Sequence, residues 1–181
     1  MTNKEKPNLY EERMNGYGGG YNNSQNYLKG LDDLCVFHGM NKNHNVLELG
    51  TNDGVSTVLF SYYANSVTTI DINKSDKLQK NLNLCNNIDF KHGDIQSIVP
   101  TLPDNYYDFI YIDADHDKES VLRDIKLSIL KLKNNGIICG HDYIQTDLNG
   151  TSVKGAVDEF FKDKKINLFE DTSWSVILTR D

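Results

Sequence analysis

Cysteine, proline and tryptophan are scarce in this chain, whose 181 residues include three cysteines, three prolines and one tryptophan. Cys35, Cys85 and Cys139 are odd in number and far apart, and no two of them form a Cys-x-x-Cys pair. This pattern excludes a disulfide framework and a zinc site of the usual cysteine spacing. It predicts packed, reduced thiols, which are typical of a cytoplasmic protein.

Positive charge and long apolar runs are also lacking. Lysine and arginine total 19 against 26 aspartate and glutamate residues, which gives a net charge of −7. Non-specific binding to nucleic acid needs a basic surface, so we expect no nucleic acid partner. The N-terminal segment contains no apolar stretch that would indicate a signal peptide or a membrane anchor. We therefore expect no membrane partner and a cytoplasmic location. The expected partner is a small-molecule substrate. The sequence leaves open whether the protein forms a homodimer.

The most informative segment that is present covers residues 45–57, with the sequence NVLELGTNDGVST. An apolar run ends at Gly50, a second glycine follows at Gly54, and an apolar helical stripe begins at Val55. The pattern predicts a strand, a tight glycine turn and a helix. Such a turn lets a ligand approach the backbone closely, and the helix N-terminus offers free N–H groups to that ligand.

A second predicted strand, residues 67–71, ends in the carboxylate of Asp71. An acid at this position can accept hydrogen bonds from ribose hydroxyls, so the two segments together indicate a site for a nucleoside cofactor. A phosphate-binding P-loop is disfavoured because Gly54 is not followed by lysine. The dinucleotide motif G-x-G-x-x-G is absent as well, since no glycine lies between Gly50 and Gly54.

Strand and helix patterns alternate along most of the remaining chain, which predicts a parallel sheet with right-handed crossovers. Residues 108–113 form an apolar run between two acids, which is typical of a strand buried on both faces. We expect a helix from about Lys118 that is ended by Asn134-Asn135-Gly136. The fifth strand is then expected at residues 137–140.

The sheet is predicted to close with an antiparallel hairpin, because only three residues separate the last two predicted strands, 166–169 and 173–179. The predicted fold class is α/β, with a doubly wound, mostly parallel sheet of seven strands. The first 23 residues are polar and have no periodic apolar face, so we expect a flexible arm at 1–23 and one domain at 24–181. Two uses of this arm stay open: a plain tail, and a segment that folds over the ligand.

Two motifs resemble the class I S-adenosylmethionine (SAM) methyltransferases. The first is Glu48-Leu49-Gly50-Thr51-x-x-Gly54-x-Ser56, which resembles the first motif of that family. The second combines Ile112-Asp113-Ala114-Asp115-His116 with Gly140-His141-Asp142-Tyr143. It resembles a bacterial-type branch of the family and, more distantly, the metal-dependent catechol and caffeoyl-CoA O-methyltransferases. The resemblance extends from about Asn45 to the C-terminus and implies a Rossmann-like sheet that ends in an antiparallel hairpin.

The resemblance implies that SAM is the cofactor. Glu48 and the glycine turn would hold its methionine part, Asp71 its ribose and Asp94 its adenine amino group. The candidate cofactor-binding residues are Glu48, Gly50, Thr51, Asn52, Gly54, Ser56, Asp71, Asp94 and Asp113. Acids suit this ligand because SAM carries a sulfonium and an ammonium but no phosphate, and they disfavour NAD and ATP.

The metal-dependent relatives bind a divalent cation through acids at the ends of the fourth and fifth strands, which correspond to Asp113 and Asp142. They add an asparagine where this chain has Tyr143, and His141 is the candidate third ligand of Mg²⁺ or another divalent cation. They place a lysine base where this chain has His116, so the candidate catalytic residues are His116 and Asp113. Two simpler interpretations stay open: that the acids before the next helix only cap it, and that His141 bonds only to backbone.

We therefore predict SAM-dependent methyl transfer to a hydroxyl oxygen of a small molecule. The reaction is an in-line displacement, and the acceptor hydroxyl must also lose its proton, either to His116 or through a bound cation that lowers its pKa. Two other classes of protein stay open. An NAD-dependent oxidoreductase is disfavoured by the glycine spacing and the terminal hairpin, and a non-catalytic SAM-fold module would serve binding or assembly.

Overall fold

The computed structural model describes residues 24–144, 147 and 149–179, with side chains from Lys29 onward. The predicted arm at 1–23 lies outside the described residues. The helices are α1 (Ser24–Phe37), α2 (Val55–Tyr63), α3 (Asp76–Leu82), α4 (Ile95–Ile98), α5 (Lys118–Ser128) and α6 (Val153–Phe160). The strands are β1 (Asn45–Leu49), β2 (Ser66–Asp71), β3 (Ile88–His92), β4 (Tyr107–Ile112), β5 (Leu132–Gly140), β6 (Asn167–Leu168) and β7 (Trp174–Leu178).

The strands of the described part form one sheet in the order β3-β2-β1-β4-β5-β7-β6. Strands β1 to β5 are parallel, and β7 is antiparallel to both of its neighbours. The strand order reverses between β1 and β4, because the chain runs outward to β3 and then crosses back. The predicted α/β fold with a mostly parallel seven-stranded sheet and a C-terminal antiparallel hairpin is confirmed.

The central strands are buried on both faces, as their continuous apolar runs predict. Val46 of β1 and Phe109 of β4 pack under α1 and α2, whereas Leu47 and Ile110 pack under α5 and α6 on the opposite face. All four side chains are at most 2% exposed. Burial of each contributes about 1.5–3 kcal/mol, so this double core fixes the central strands and holds their carboxyl ends in place.

Strand β5 differs from the prediction, since it begins at Leu132 and contains the Asn134-Asn135-Gly136 segment that was expected to end the preceding helix. The pairing register with β4 shifts here: Tyr107 pairs with Leu132, but Phe109 pairs with Ile137. The extra residues form a bulge-like irregularity, in which Asn135 has a φ of 61°. Asparagine tolerates this left-handed conformation, so the same residues that can end a helix also suit a bulge.

The three cysteines, all within the described ranges, form no disulfide, and Cys35 and Cys139 are buried. Burial raises the pKa of the Cys139 thiol, which stays protonated and donates to the Ile110 carbonyl at 3.3 Å. None of the helices in the described ranges is long and apolar enough to cross a membrane.

Candidate active site

The carboxyl ends of β1, β2, β4 and β5 meet at one edge of the sheet. Backbone bonds continue the pairing past the strand ends: the N–H groups of Gly50 and Asp113 donate to carbonyls of β2 and β1, each at 2.9 Å. The His141 N–H donates to a β4 carbonyl at 3.3 Å. Residues 50, 113 and 141 therefore lie side by side where the strand order reverses, which is the place where doubly wound sheets bind ligands.

The glycine turn packs directly against the loop that follows β4. Gly50 has a φ of 91°, which favours glycine, and a Cβ added there would lie 2.2 Å from the carbonyl oxygen of Asp113. Asn52 and Gly54 also have positive φ values, 48° and 76°. The turn predicted from sequence is therefore present, and only glycine at residue 50 permits its close contact with the β4 end.

Asp71 ties the glycine turn to β2. Its Oδ2 accepts hydrogen bonds from the backbone N–H groups of Thr51 at 2.9 Å and Asn52 at 2.8 Å. Its Oδ1 accepts one from the N–H of Asn73 at 2.7 Å. Carboxylate oxygens can accept further bonds, so Asp71 is able to position the turn and still accept hydrogen bonds from a ligand.

Glu48 lies beneath the turn and is fully buried. Its carboxylate accepts hydrogen bonds from the hydroxyls of Ser56, Thr57 at 2.5 Å and Thr69 at 2.6 Å. Burial raises its pKa to about 7, although the three hydroxyl donors act in the opposite direction. The Thr51 hydroxyl extends the network, 2.6 Å from that of Thr69. This buried network joins β1, β2, the turn and α2.

The structure thus brings Glu48 and Ser56 together, but it places both side chains inside the protein. Ser56 is 5% exposed and its hydroxyl donates to Glu48. Their predicted contact with the methionine part of a cofactor stays a prediction. In the described structure the network holds the turn in shape from below.

Asp94 follows β3 and is exposed at the start of α4. Its carboxylate accepts a hydrogen bond from the Gln96 N–H at 3.2 Å and so caps that short helix. This position is on the same edge of the sheet as the end of β2, since β2 and β3 are paired up to Asp71 and His92. Asp94 is therefore on the β2 side of the glycine turn, away from β5.

Four side chains form an acid–imidazole cluster on the other side of the turn: Asp113, His116, His141 and Asp142. His116 Nε2 lies 3.1 Å from Asp142 Oδ2 and 3.5 Å from Asp113 Oδ1. His141 Nδ1 lies 3.3 Å from Asp142 Oδ1, and its Nε2 lies 3.4 Å from the hydroxyl of Thr172. The interpretation that His141 bonds only to backbone is therefore wrong.

The acids and imidazoles of the cluster stabilise the charged forms of one another. Hydrogen bonding to Asp113 raises the pKa of His116, assisted by the charge of Asp142 and opposed by burial. Burial opposes protonation of His141, but Asp142 and the other nearby acids outweigh it and raise the pKa of this imidazole. The hydrogen bond from His141 in turn lowers the pKa of Asp142. The cluster is therefore suited to carrying positive charge between two carboxylates.

Asp142 has a φ of 58°, in the left-handed region that costs energy for a residue other than glycine. Such conformations concentrate at sites where a side chain must point in a particular direction. The interpretation that Asp113 or Asp115 caps α5 is wrong, because Asp117 caps it by accepting from the Ser120 N–H at 3.1 Å.

The donor set fits a divalent cation. One ligand atom from each of Asp113, His141 and Asp142 lies within 4.8 Å of the others. Tyr143 follows Asp142, and its hydroxyl donates to Asp158 at 2.6 Å. Carboxylate oxygens and imidazole nitrogens are common ligands of divalent metals.

Sequence reasoning missed three hydroxyl residues that shape the site, namely Thr57, Thr69 and Thr172. Thr57 and Thr69 bind the Glu48 carboxylate, and Thr172 lies in the β6–β7 turn beside His141. Thr57 follows Ser56 at the start of a helix and so carried a weak local signal. The other two come from distant parts of the chain, and no spacing pattern connects them to the site.

Comparison with known families finds a match over residues 47–143 to the family described as "Methyltransferase domain". This range covers more than half of the chain and contains the glycine turn, Asp71, Asp94 and the whole acid–imidazole cluster. No curated protein matches at a significant level.

Solved structures share the fold. A candidate SAM-dependent methyltransferase from Methanococcus maripaludis covers 100% of this chain and 97% of its own, with a TM-score of 0.66 and 15% identity. A candidate caffeoyl-CoA O-methyltransferase from Staphylococcus aureus covers 84% and 82%, with a TM-score of 0.62 and 20% identity. A tRNA (m1A58) methyltransferase from Aquifex aeolicus covers 88% and 71%, with a TM-score of 0.67 and 15% identity. At these identities the likeness shows the fold.

Proposed function

This chain belongs to the family described as "Methyltransferase domain" and has the class I methyltransferase fold, and we propose that it transfers the methyl group of SAM to a hydroxyl oxygen of a small molecule. One observation carries the proposal: the glycine turn lies in contact with the end of β4, which carries the acid–imidazole cluster. A cofactor site and a site for proton chemistry therefore adjoin. SAM supplies an electrophilic methyl group, so a nucleophile next to the turn is what such a reaction needs.

On the cofactor side we assign binding to the surface between β1 and β2. Asp71 and the backbone of the turn would hold the ribose and methionine parts, and Asp94 would bind the adenine amino group. Glu48 and Ser56 would act from beneath, by keeping Thr51 and Asn52 in position. The acidic surroundings favour a ligand that carries a sulfonium and an ammonium.

On the acceptor side we assign proton removal to the acid–imidazole cluster. His116 is half-exposed, with a side-chain exposure of 54%, so a substrate can reach it. Its imidazole is the candidate base and Asp113 orients it. A divalent cation held by Asp113, His141 and Asp142 would supply a second route, because a bound cation lowers the pKa of a hydroxyl.

A small-molecule acceptor is favoured over nucleic acid by charge. The chain carries a net charge of −7, and the candidate acceptor surface presents the carboxylates of Asp113, Asp115 and Asp142. Phosphates would be repelled from this surface. The likeness to a tRNA methyltransferase concerns the fold, so tRNA belongs among the acceptors tested.

The experiment is methyl transfer from labelled SAM to a panel of hydroxyl-bearing small molecules, amines and tRNA, each with a chelator and with added divalent cations. We expect label in hydroxyl compounds. Transfer only to tRNA or only to amines would contradict the proposed acceptor. SAM that binds without transfer to any acceptor would favour the non-catalytic module, and binding of NAD instead of SAM would favour an oxidoreductase.

Asp142→Asn and Asp89→Asn form a matched pair for this assay. Both exchange one carboxylate for an amide, but Asp142 belongs to the cluster and Asp89 is an exposed residue of the edge strand β3. Loss of transfer in the first variant alone, with SAM affinity retained in both, would support the cluster as the acceptor side of the site. Equal turnover in both variants would contradict it.

A further inference from the structure

His116 Nε2 faces two carboxylates at once, Asp142 at 3.1 Å and Asp113 at 3.5 Å. A single imidazole N–H points in one direction and can donate one good hydrogen bond, and 3.5 Å is at the outer limit for such a bond. Two states account for one nitrogen that is shared between two acids: an imidazolium paired with both, or a neutral imidazole that binds the same cation as both.

The spacings agree with those of atoms that bind one ion. Nitrogen and oxygen ligands lie about 2.1 Å from Mn²⁺ or Zn²⁺, so neighbouring ligands at right-angled or tetrahedral positions are about 3.0 to 3.4 Å apart. The separations of 3.1 and 3.5 Å at His116 are close to this range. The 3.3 Å between His141 and Asp142 is also close to it.

We propose that His116 is a ligand of the cation, so that the site consists of two carboxylates and two imidazoles, from Asp113, Asp142, His116 and His141, and takes a transition metal in preference to Mg²⁺. The inference rests on the cation of the proposed function and adds both a ligand and a metal class to it. His116 lies three residues after Asp113 on the loop before α5, and His141 follows the last residue of β5. The two imidazoles thus approach the carboxylates from different elements.

Metal choice follows from the ligand atoms. Mg²⁺ prefers oxygen ligands and keeps several waters, whereas imidazole nitrogen suits Zn²⁺, Co²⁺ and other first-row transition metals. Two imidazoles therefore shift the preference of this site away from Mg²⁺. In the metal-loaded protein His116 Nε2 would hold the cation, so the acceptor would lose its proton by the second route of the proposed function, in which the cation lowers the pKa of the hydroxyl. His116 would act as the base only in the metal-free protein.

The test uses the full chain freed of metal by chelation. Calorimetric titration with Zn²⁺, Mn²⁺ and Mg²⁺ is expected to show Mn²⁺ and Zn²⁺ bound at least about tenfold more tightly than Mg²⁺. His116→Gln should weaken Zn²⁺ and Mn²⁺ at least about tenfold and Mg²⁺ by much less. His92→Gln is the matched control, because His92 is exposed at the end of β3, with its Nε2 3.0 Å from the carbonyl of Ile72. It should leave all three affinities unchanged.

Pulsed electron paramagnetic resonance of the Mn²⁺-loaded protein counts bound imidazoles directly. We expect two coordinated nitrogens in the unsubstituted protein and one in His116→Gln. A single nitrogen in the unsubstituted protein, tighter binding of Mg²⁺ than of Mn²⁺, or equal Zn²⁺ affinity in His116→Gln would each overturn the inference. SAM affinity, measured on the same samples, reports separately on the proposed function: its absence would contradict methyl transfer, while the metal titrations would still decide the ligand set.

Discussion

Substitution of the buried carboxylate beneath the glycine turn, Glu48→Gln, should change how stability depends on pH. Glu48 is fully buried, and burial raises its pKa from 4.5 to about 7 despite the three hydroxyls that donate to it. Glutamine has nearly the same shape and can use the same hydroxyls, but it does not titrate. The comparison therefore isolates the cost of ionising one buried group.

The sign follows from the direction of the pKa change. Between pH 4.5 and about 7 the folded protein retains a proton on Glu48 that the unfolded chain releases. This group therefore adds stability that is complete below pH 4.5 and is lost as the pH rises through about 7. The difference between 4.5 and about 7, at about 1.4 kcal/mol for each pH unit, amounts to about 3 kcal/mol in total. Between about pH 5 and about pH 8 the loss is about 2.5 kcal/mol.

The assay is urea unfolding at a series of pH values in the presence of a chelator, followed by tryptophan fluorescence. Trp174 is the only tryptophan of the chain and is fully buried, so its emission reports global unfolding. We expect the stability of Glu48→Gln, relative to the unsubstituted protein, to rise by about 2.5 kcal/mol from pH 5 to pH 8. Asp89→Asn is the control, since it removes an exposed carboxylate and should leave the difference near zero at every pH.

Parallel stability curves for Glu48→Gln and the unsubstituted protein would refute the reasoning. They would mean that the hydroxyls of Ser56, Thr57 and Thr69 fully replace the hydration of the carboxylate, so that burial has no net effect on its pKa. A relative change of the opposite sign would mean that these donors outweigh burial and stabilise the charged form.

Three other substitutions and one deletion test further parts of the protein. Asp71→Ala should weaken SAM binding at least about tenfold, because a hydrogen bond to a charged group contributes about 1.5–3 kcal/mol; calorimetry with unchanged affinity and an intact fold would contradict the assignment. Gly50→Ala should destabilise the protein by about 1–3 kcal/mol in urea, since its Cβ would lie 2.2 Å from the Asp113 carbonyl oxygen. Gly30→Ala should also lower the urea midpoint, although alanine favours helices, because the new Cβ would lie 2.0 Å from Asp171 Oδ1. Deletion of residues 1–22 should lower SAM affinity and turnover in the transfer assay, and no change in either would identify the arm as a tail.

Local pattern in the sequence was enough to predict the glycine turn, the acid at the end of β2 and the terminal hairpin. Each depends on a few consecutive residues: Gly50 and Gly54 with their flanking apolar runs, the short strand pattern that ends at Asp71, and a connection too short for a parallel crossover. The apolar runs of β1 and β4 also identified the two central strands, because strands buried on both faces have few polar positions.

The predicted start of β5, residue 137, was wrong because one local sequence suits two structures. Asparagine and glycine both tolerate left-handed backbone, so Asn134-Asn135-Gly136 suits a helix end and a bulge equally well. Pairing with β4 decided between them, since the register shift between Tyr107 and Phe109 depends on contacts with another strand. No pattern within the segment carries that information.

Residue types and spacing thus established which side chains follow which strand, and the strand order then placed the ends of β1, β4 and β5 next to each other. Only the tertiary structure placed Thr69 on the carboxylate of Glu48, although 21 residues separate them, and set His116 between Asp113 and Asp142. The physical reason is the distance along the chain over which each effect acts. Periodicity encodes which face of an element is buried, whereas the direction of a loop side chain depends on packing between elements that are distant in the chain.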